Sequence, residues 1–293
     1  MVEVISLRKQ NLRCDIAPAV GGSLTGLWCG DVPVLRETPT AQLRSALDSA
    51  CYPLVPYSNR IGNAKLTWAG KQYLLNKNFP PEPHAIHGTG WESDWAVTRV
   101  DSASATLTLN HEPNAAWPFA FRATQTLQLE DEALQMHISI TNTHGDVVPA
   151  GLGWHPYFAK RPGTQLEFAA TGRWAMGPDQ LPTQLEAHTG VHQDVASLAV
   201  DHCFEGWNGV LEWRDGLLKV QVQSDLRRLV VFTRPELDCV AIEPVSHANN
   251  AFNRTSEASA AADALGVQRL LPQQTFRAQM RIAVKANHSG LKG

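Results

Sequence analysis

The chain is short of charge and of cysteine for its length. Of 293 residues, 18% are charged and five are cysteine, against 43% hydrophobic. Twenty-five Lys and Arg against 28 Asp and Glu leave a net charge of −3, with no basic block and no acidic tail. Bulk electrostatics therefore give no reason to expect nucleic acid or a membrane surface as partner. Cysteines 14, 29, 51, 203 and 239 are odd in number and scattered, with no Cys-x-x-Cys. Reduced thiols in a cytosolic protein are the expectation, not a disulfide frame or a structural zinc site. No apolar run nears the ~18 residues of a membrane span. The opening residues carry no basic leader followed by an apolar core. There is no Gly-x-Gly-x-x-Gly after a strand, no P-loop and no Gly-x-Ser-x-Gly elbow. Basic and aromatic residues are not interleaved as a nucleic-acid surface requires.

What is present punctuates as strands and turns. Val2–Leu7 alternates and ends in a polar turn at Arg8–Asn11, and Leu12–Ile16 resumes. Lys65–Trp68, Ala69-Gly70 and Gln72–Leu75 predict a hairpin. Trp95–Val100 and Ala105–His111 follow. The clearest β signal is Phe119–Leu129 with Ala133–Thr143, turned by Glu130-Asp131-Glu132. Residues 160–200 predict loops and short strands. Leu217–Gln223, Leu229–Thr233, Cys239–Val245 and Thr275–Lys285 predict further strands, and Ala-rich Ser256–Leu265 a short surface helix. With no repeat and no linker, the expectation is one all-β domain over residues 1–293, a large antiparallel fold with few short helices.

One stretch stands out: Gly151-Leu152-Gly153-Trp154-His155-Pro156-Tyr157-Phe158. Pro156 pushes His155 towards extended backbone. This predicts a rigid histidine in an aromatic-walled pocket, with the glycines leaving open space. Histidine is the commonest general acid or base, although a lone His among aromatics is more often a packing residue. Glu243 interrupts the apolar run Cys239–Val245. A carboxylate there is paired, protonated or facing a pocket, because burying it alone is costly. Burial would raise its pKa, as suits a base working near neutrality, and a structural salt bridge is the competing explanation. His84 and His87 have metal-like spacing, but the prolines before them argue against the helix that such a site uses. No metal is expected. His87 precedes Gly88, which would leave room for a ligand; His84 fits a loop role. Asn59-Arg60 lies in a polar turn, where the guanidinium could offer donors to oxygen. Asp201 could accept two adjacent hydroxyl protons or simply cap a loop. Nine tryptophans and four tyrosines suit sugar faces, though most belong in a core.

In order along the chain, Pro56-Tyr57-Ser58-Asn59-Arg60-Ile61, His87-Gly88, Trp154-His155-Pro156-Tyr157-Phe158, Asp201-His202-Cys203-Phe204 and Ile242-Glu243-Pro244 resemble the aldose 1-epimerase (mutarotase) family. The resemblance implies a large antiparallel β-sandwich of the galactose mutarotase-like type with an open cleft. It implies Glu243 as catalytic base, His155 as catalytic acid and His87 as a second active-site histidine. Arg60 and Asp201 become sugar-binding residues, with Asn59 adjoining. Trp154 and Pro156 stand where better-known galactose mutarotases carry Asn and Ser, and Trp91 where a smaller aromatic is commoner. These departures point to another bacterial branch and leave the sugar open.

The activity implied is anomer exchange of a free aldose by acid–base ring opening and reclosure, with no cofactor. The partner is a small sugar, and the protein a cytoplasmic monomer or homodimer. Alternatives are a hexose-phosphate 1-epimerase, which would need a cationic cluster drawn from Arg60, Arg227-Arg228 and Arg234, and a non-catalytic sugar-binding or sensing protein. A glycosidase ranks last, since Asp201 is the only plausible second carboxylate.

Overall fold

A computed structural model describes residues 2–254 and 264–287. Two large sheets dominate. The nine-stranded sheet runs in spatial order Ala96–Val100, Ser104–His111, Phe121–Leu129, Ala133–Asn142, Thr275–Ala286, Leu218–Ser224, Val210–Arg214, Gln165–Ala169 and Gly190–Asp194. Its middle is a meander of long alternating strands. In Phe121–Leu129 every second residue is buried, as period-2 geometry demands of a sheet with one wet face.

The second sheet holds Pro182–Ala187, Gly172–Met176, Val200–Glu205, Arg228–Thr233, Cys239–Val245, Gly153–Trp154 and Pro53–Leu54 in order, with Tyr157–Ala159 also pairing Cys239–Val245. All the strand pairings described are antiparallel, in keeping with the predicted large antiparallel β-sandwich. Its strand Cys239–Val245 is buried at all seven positions. One of its faces meets the other sheet and the other floors a cleft.

Rings and one polar chain tie the sheets together. Phe168 meets Phe204 edge-on at 5.0 Å, and Phe158 meets Trp213 at 5.5 Å. Trp154 Nε1 donates to Gln125 Oε1 at 3.1 Å, and Gln125 Nε2 donates to the Gly22 carbonyl at 2.9 Å. Gln125 is the lone polar residue in the inward row of its strand, and both ends of its amide are satisfied, which makes its burial tolerable. Trp154 is therefore a core residue that spans the sandwich, not a wall of the pocket.

The other expectations hold with small shifts. The hairpin is Lys65–Trp68 with Lys71–Leu74, turned by Ala69 and Gly70, both at positive φ. Residues 160–200 form two hairpin-like pairs with more strand than their weak patterning predicted. The first strand is Ile5–Lys9, displaced towards the charged residues because only Leu7 of its five is buried. Arg8 and Lys9 thus belong to the strand, and the turn is confined to Gln10-Asn11. Ser45–Tyr52 contains a single 3-10 turn, Ala46–Asp48, and then runs extended. The helix predicted over Ser256–Leu265 lies almost wholly outside the described residues; Ala251–Arg254 forms one short helical turn before it. All five cysteines are free thiols.

Candidate active site

The cleft lies on the face of the second sheet that Glu243 shares with Asp201. Register decides this. Asp201 pairs with Phe232, Phe232 with Ala241, and Val230 with Glu243. Directly opposed residues share a face, so Asp201, Val230, Phe232 and Glu243 line one surface while Val231 and Ile242 enter the core. A slip by one residue would bury both carboxylates in hydrocarbon. The cleft holds about 460 Å³, a volume suited to one small polar ring.

His155 reaches the same floor from the neighbouring broken strand. Its N–H donates to the Tyr52 carbonyl at 2.9 Å, and the Pro156 carbonyl accepts from Ile242 at 3.1 Å. The ring is stacked on Tyr52 at 4.7 Å, tilted against Tyr157 at 4.5 Å and met edge-on by His87 at 5.2 Å. This is the rigid aromatic pocket predicted for it. His155 Nε2 lies 3.1 Å from Glu243 Oε1, with both residues buried. His155 Nδ1 and Glu243 Oε2 are buried without a partner among the described residues. Burial, and then the Asp201 charge, push Glu243 well above the usual carboxylate range, against the pull of Arg60. Burial, helped by His87 and Arg36, holds His155 well below the usual histidine value. Both shifts favour a pair that shares one proton across the 3.1 Å contact.

The turn Ser58–Asn63 hangs from three imidazoles. His247 Nε2 accepts from Ser58 N–H at 3.0 Å, His87 Nδ1 from Asn59 N–H at 3.1 Å, and His84 Nδ1 from Asn63 N–H at 2.9 Å. His84 thus has the structural part expected of it, and its Nε2 meets the Asp179 carbonyl at 2.8 Å. For His87 the contact settles the tautomer. Its Nδ1 faces a donor, so the neutral ring carries its proton on Nε2. Burial, followed by the charge of Arg60, pushes its pKa down to about 3.

His87, His155 and Glu243 bring donor atoms within 4.8 Å of one another, the geometry of a three-ligand cation site. The tautomer of His87 works against it. One ring nitrogen is occupied and the other protonated, and a protonated nitrogen cannot ligate a metal. The cluster suits proton transfer better than a cation.

Arg60 lines the cleft, but its fork is held by Glu82: Nε to Oε2 at 2.8 Å and Nη2 to Oε1 at 2.6 Å. Burial opposes its charge, and the Glu82 carboxylate more than compensates, so its pKa is raised. The Arg60 hydrogen bonds in turn hold Glu82 below the usual range. Asp201 also lines the cleft, raised chiefly by burial against the pull of Arg60. Asn59 lines it as well, and its Oδ1 accepts from Arg60 N–H at 2.9 Å. All six residues singled out from sequence therefore meet in one cleft.

Several expectations about neighbours need correction. Trp154 and Pro156 do not line the cleft, and Trp91 donates its indole N–H to the Ile86 carbonyl at 3.3 Å behind it. The room beside Gly88 is not for a ligand. Gly88 sits at φ +72°, and a side chain there would strike the Val55 backbone. A methyl on Gly151 would overlap the His247 ring, and one on Gly153 would crowd the Pro244 carbonyl. These glycines admit protein, not substrate. Sequence reasoning missed Glu82, Tyr52, Phe232 and His247. Glu82 alone had a signal, as a carboxylate inside a run of prolines near an arginine in need of a counter-ion.

Comparisons with known proteins agree with this fold. The chain is 27% identical over 277 residues to the uncharacterised Escherichia coli K12 protein YphB, covering 86% of this chain and 90% of that one. A solved structure from Escherichia coli K12 superimposes with TM-score 0.87 at 24% identity, covering 97% and 99% of the two chains. The galactose 1-epimerase of Lactobacillus acidophilus NCFM superimposes with TM-score 0.78 at 14% identity, covering 97% and 95%. At such identities the structures establish a shared fold. The sequence profile of the aldose 1-epimerase family matches residues 3–286, and the chain belongs to that family.

Proposed function

We propose that the protein is an aldose 1-epimerase that interconverts the α and β anomers of a free aldose. The observation that carries this is the buried His155–Glu243 contact of 3.1 Å on the cleft floor. A cyclic aldose is a hemiacetal. Its opening removes a proton from the C1 hydroxyl and delivers one to the ring oxygen. Both oxygens are bonded to the same carbon, so the two groups that serve them must lie side by side, as these do. Glu243 takes the hydroxyl proton while His155 gives the shared proton to the ring oxygen, and the C1–ring oxygen bond breaks. The number of protons on the pair is unchanged. Rotation about C1–C2 presents the other face of the aldehyde, and the reverse transfers close the ring as the other anomer. Each acid–base step is worth about 10²–10⁴-fold.

The other cleft residues fit this reading. His87 presents an Nε2–H donor to a sugar oxygen, and its low pKa keeps it neutral. Asp201 accepts hydrogen bonds from sugar hydroxyls, and Arg60, fixed by Glu82, offers its remaining Nη1 donors. Asn59 shapes the turn beneath. A purely sugar-binding protein has no need of a proton-sharing pair.

The cations favour a free over a phosphorylated sugar. Arg228 is held by Glu205 and by the Ser246 and Ala264 carbonyls, and Arg227 by the Asn208 carbonyl. Arg60 is held by Glu82, which leaves Arg234 at the rim. Polarimetry of freshly dissolved α-anomers, over free hexoses and pentoses and over hexose 6-phosphates, tests the proposal. Faster mutarotation of at least one free aldose is expected, with phosphates no better. Acceleration confined to the phosphates, or absent throughout, would overturn it.

A further inference from the structure

Arg36 stands outside the cleft, behind Tyr157. Its guanidinium carbon lies 3.7 Å from the centre of the Tyr157 ring, which also meets the His155 ring at 4.5 Å. The fork is pinned by carbonyls. Nε donates to Ser49 O at 2.7 Å and Nη2 to Leu47 O. The Arg36 backbone N–H also donates to the Tyr157 carbonyl at 2.8 Å. No carboxylate within salt-bridge distance neutralises this half-buried cation among the described residues. Elsewhere the buried arginines Arg60 and Arg228 and the half-buried Arg161 each carry one. Carbonyls fix the place of a guanidinium without cancelling its charge, and a carboxylate would cancel it. A ring face on one side and carbonyls at the edge leave a net positive charge in a low-dielectric wall, no more than about 8 Å from the His155 ring.

We propose that Arg36 is a positioning residue that, from behind Tyr157, lowers the affinity of His155 for a proton. The groups facing His155 are Glu243 from the strand after it, His87 from its loop, Tyr52 and Cys51 from the strand beside it, and Tyr157 next along the chain. Glu243 favours a proton on His155, so an opposing charge is required if the proton is to leave easily. Arg36 supplies it, and after burial and the His87 ring it too lowers the pKa of His155. The same charge acts on Tyr157, whose pKa burial raises and Arg36 pulls back. In the reaction proposed above, on which this consequence rests, Arg36 makes His155 the stronger acid towards the ring oxygen.

The test is NMR titration of the His155 ring in the sugar-free protein, for wild type, Arg36→Met and Arg36→Lys. Methionine keeps an apolar stem over Tyr157 and removes the charge, whereas lysine keeps the charge. A unit charge at this separation moves a neighbouring titration by about 1.5 pH units at an effective dielectric of 20. The midpoint of His155 is expected to rise by about that much in Arg36→Met and to stay near wild type in Arg36→Lys. An unmoved midpoint in folded Arg36→Met overturns the proposal. So does an equal rise in both variants, which would mean that packing and not charge is at work. Should Arg36→Met fail to fold, Arg36→Gln, which keeps an amide donor for the Ser49 and Leu47 carbonyls without the charge, takes its place, and an unmoved His155 midpoint in it overturns the proposal. The midpoint is read without substrate, so the result stands whether or not the protein proves to exchange anomers.

Discussion

At the residue scale, chemistry is concentrated where two groups are pushed in opposite directions. Burial raises Glu243 and lowers His155, so each resists its charged form. Between the two titrations the pair holds one proton, and that is the state anomer exchange uses. As pH falls through the lowered His155 titration, the pair gains a second proton and Glu243 is no longer a base. As pH rises through the raised Glu243 titration, the pair loses its last proton and His155 has none to give. A bell-shaped kcat/KM against pH is therefore expected, its acid limb below the ordinary histidine range and its alkaline limb well above the ordinary carboxylate range. Glu243→Gln should remove most of the activity and reduce the bell to a single limb. A single-limbed wild-type profile would mean that only one of the two groups takes part.

At the element scale, the Ser58–Asn63 turn shows how backbone is held by side chains remote in sequence. His247, 189 positions from Ser58, accepts its N–H, and Gly151 gives the His247 ring its space. Gly151→Ala would push that ring aside and leave the buried Ser58 N–H without its acceptor. A loss of roughly 1–3 kcal/mol in chemical denaturation is expected from such an orphaned group. A raised KM with a smaller effect on kcat should accompany it, because the turn carries Asn59 and Arg60 but not the proton-sharing pair. Unchanged stability would show that the ring is free to move.

The same turn shows why some elements were legible in the sequence and others were not. Strands such as Phe121–Leu129 bury one face, and their alternation writes that face into the sequence. Cys239–Val245 is buried on both faces, so its apolar run signalled only burial, and Glu243 stood out as the exception. The meaning of Gly151 depended on a histidine 96 positions later, and that of Trp154 on Gln125 in the other sheet. No local pattern encodes such contacts. Room beside a glycine therefore read as room for a ligand, and a core tryptophan as a specificity residue.

At the scale of the whole molecule, the sandwich is a means of bringing distant segments to one floor. Arg60, His87, His155, Asp201 and Glu243 come from five separate stretches, and sheet register aims Asp201 and Glu243 the same way. The ordered motifs disclosed this set through family resemblance; composition and periodicity alone disclosed only a large β protein. The central claim is that His155 and Glu243 together move the protons of a hemiacetal, and polarimetry of a fresh α-aldose measures this directly. With Glu243→Gln and His155→Asn, each shown to be folded by its denaturation curve, the catalysed rate should fall by at least about 10²-fold per variant. It should fall little further in the double variant, because the two act as one unit. Near-wild-type mutarotation in either folded variant would contradict the account.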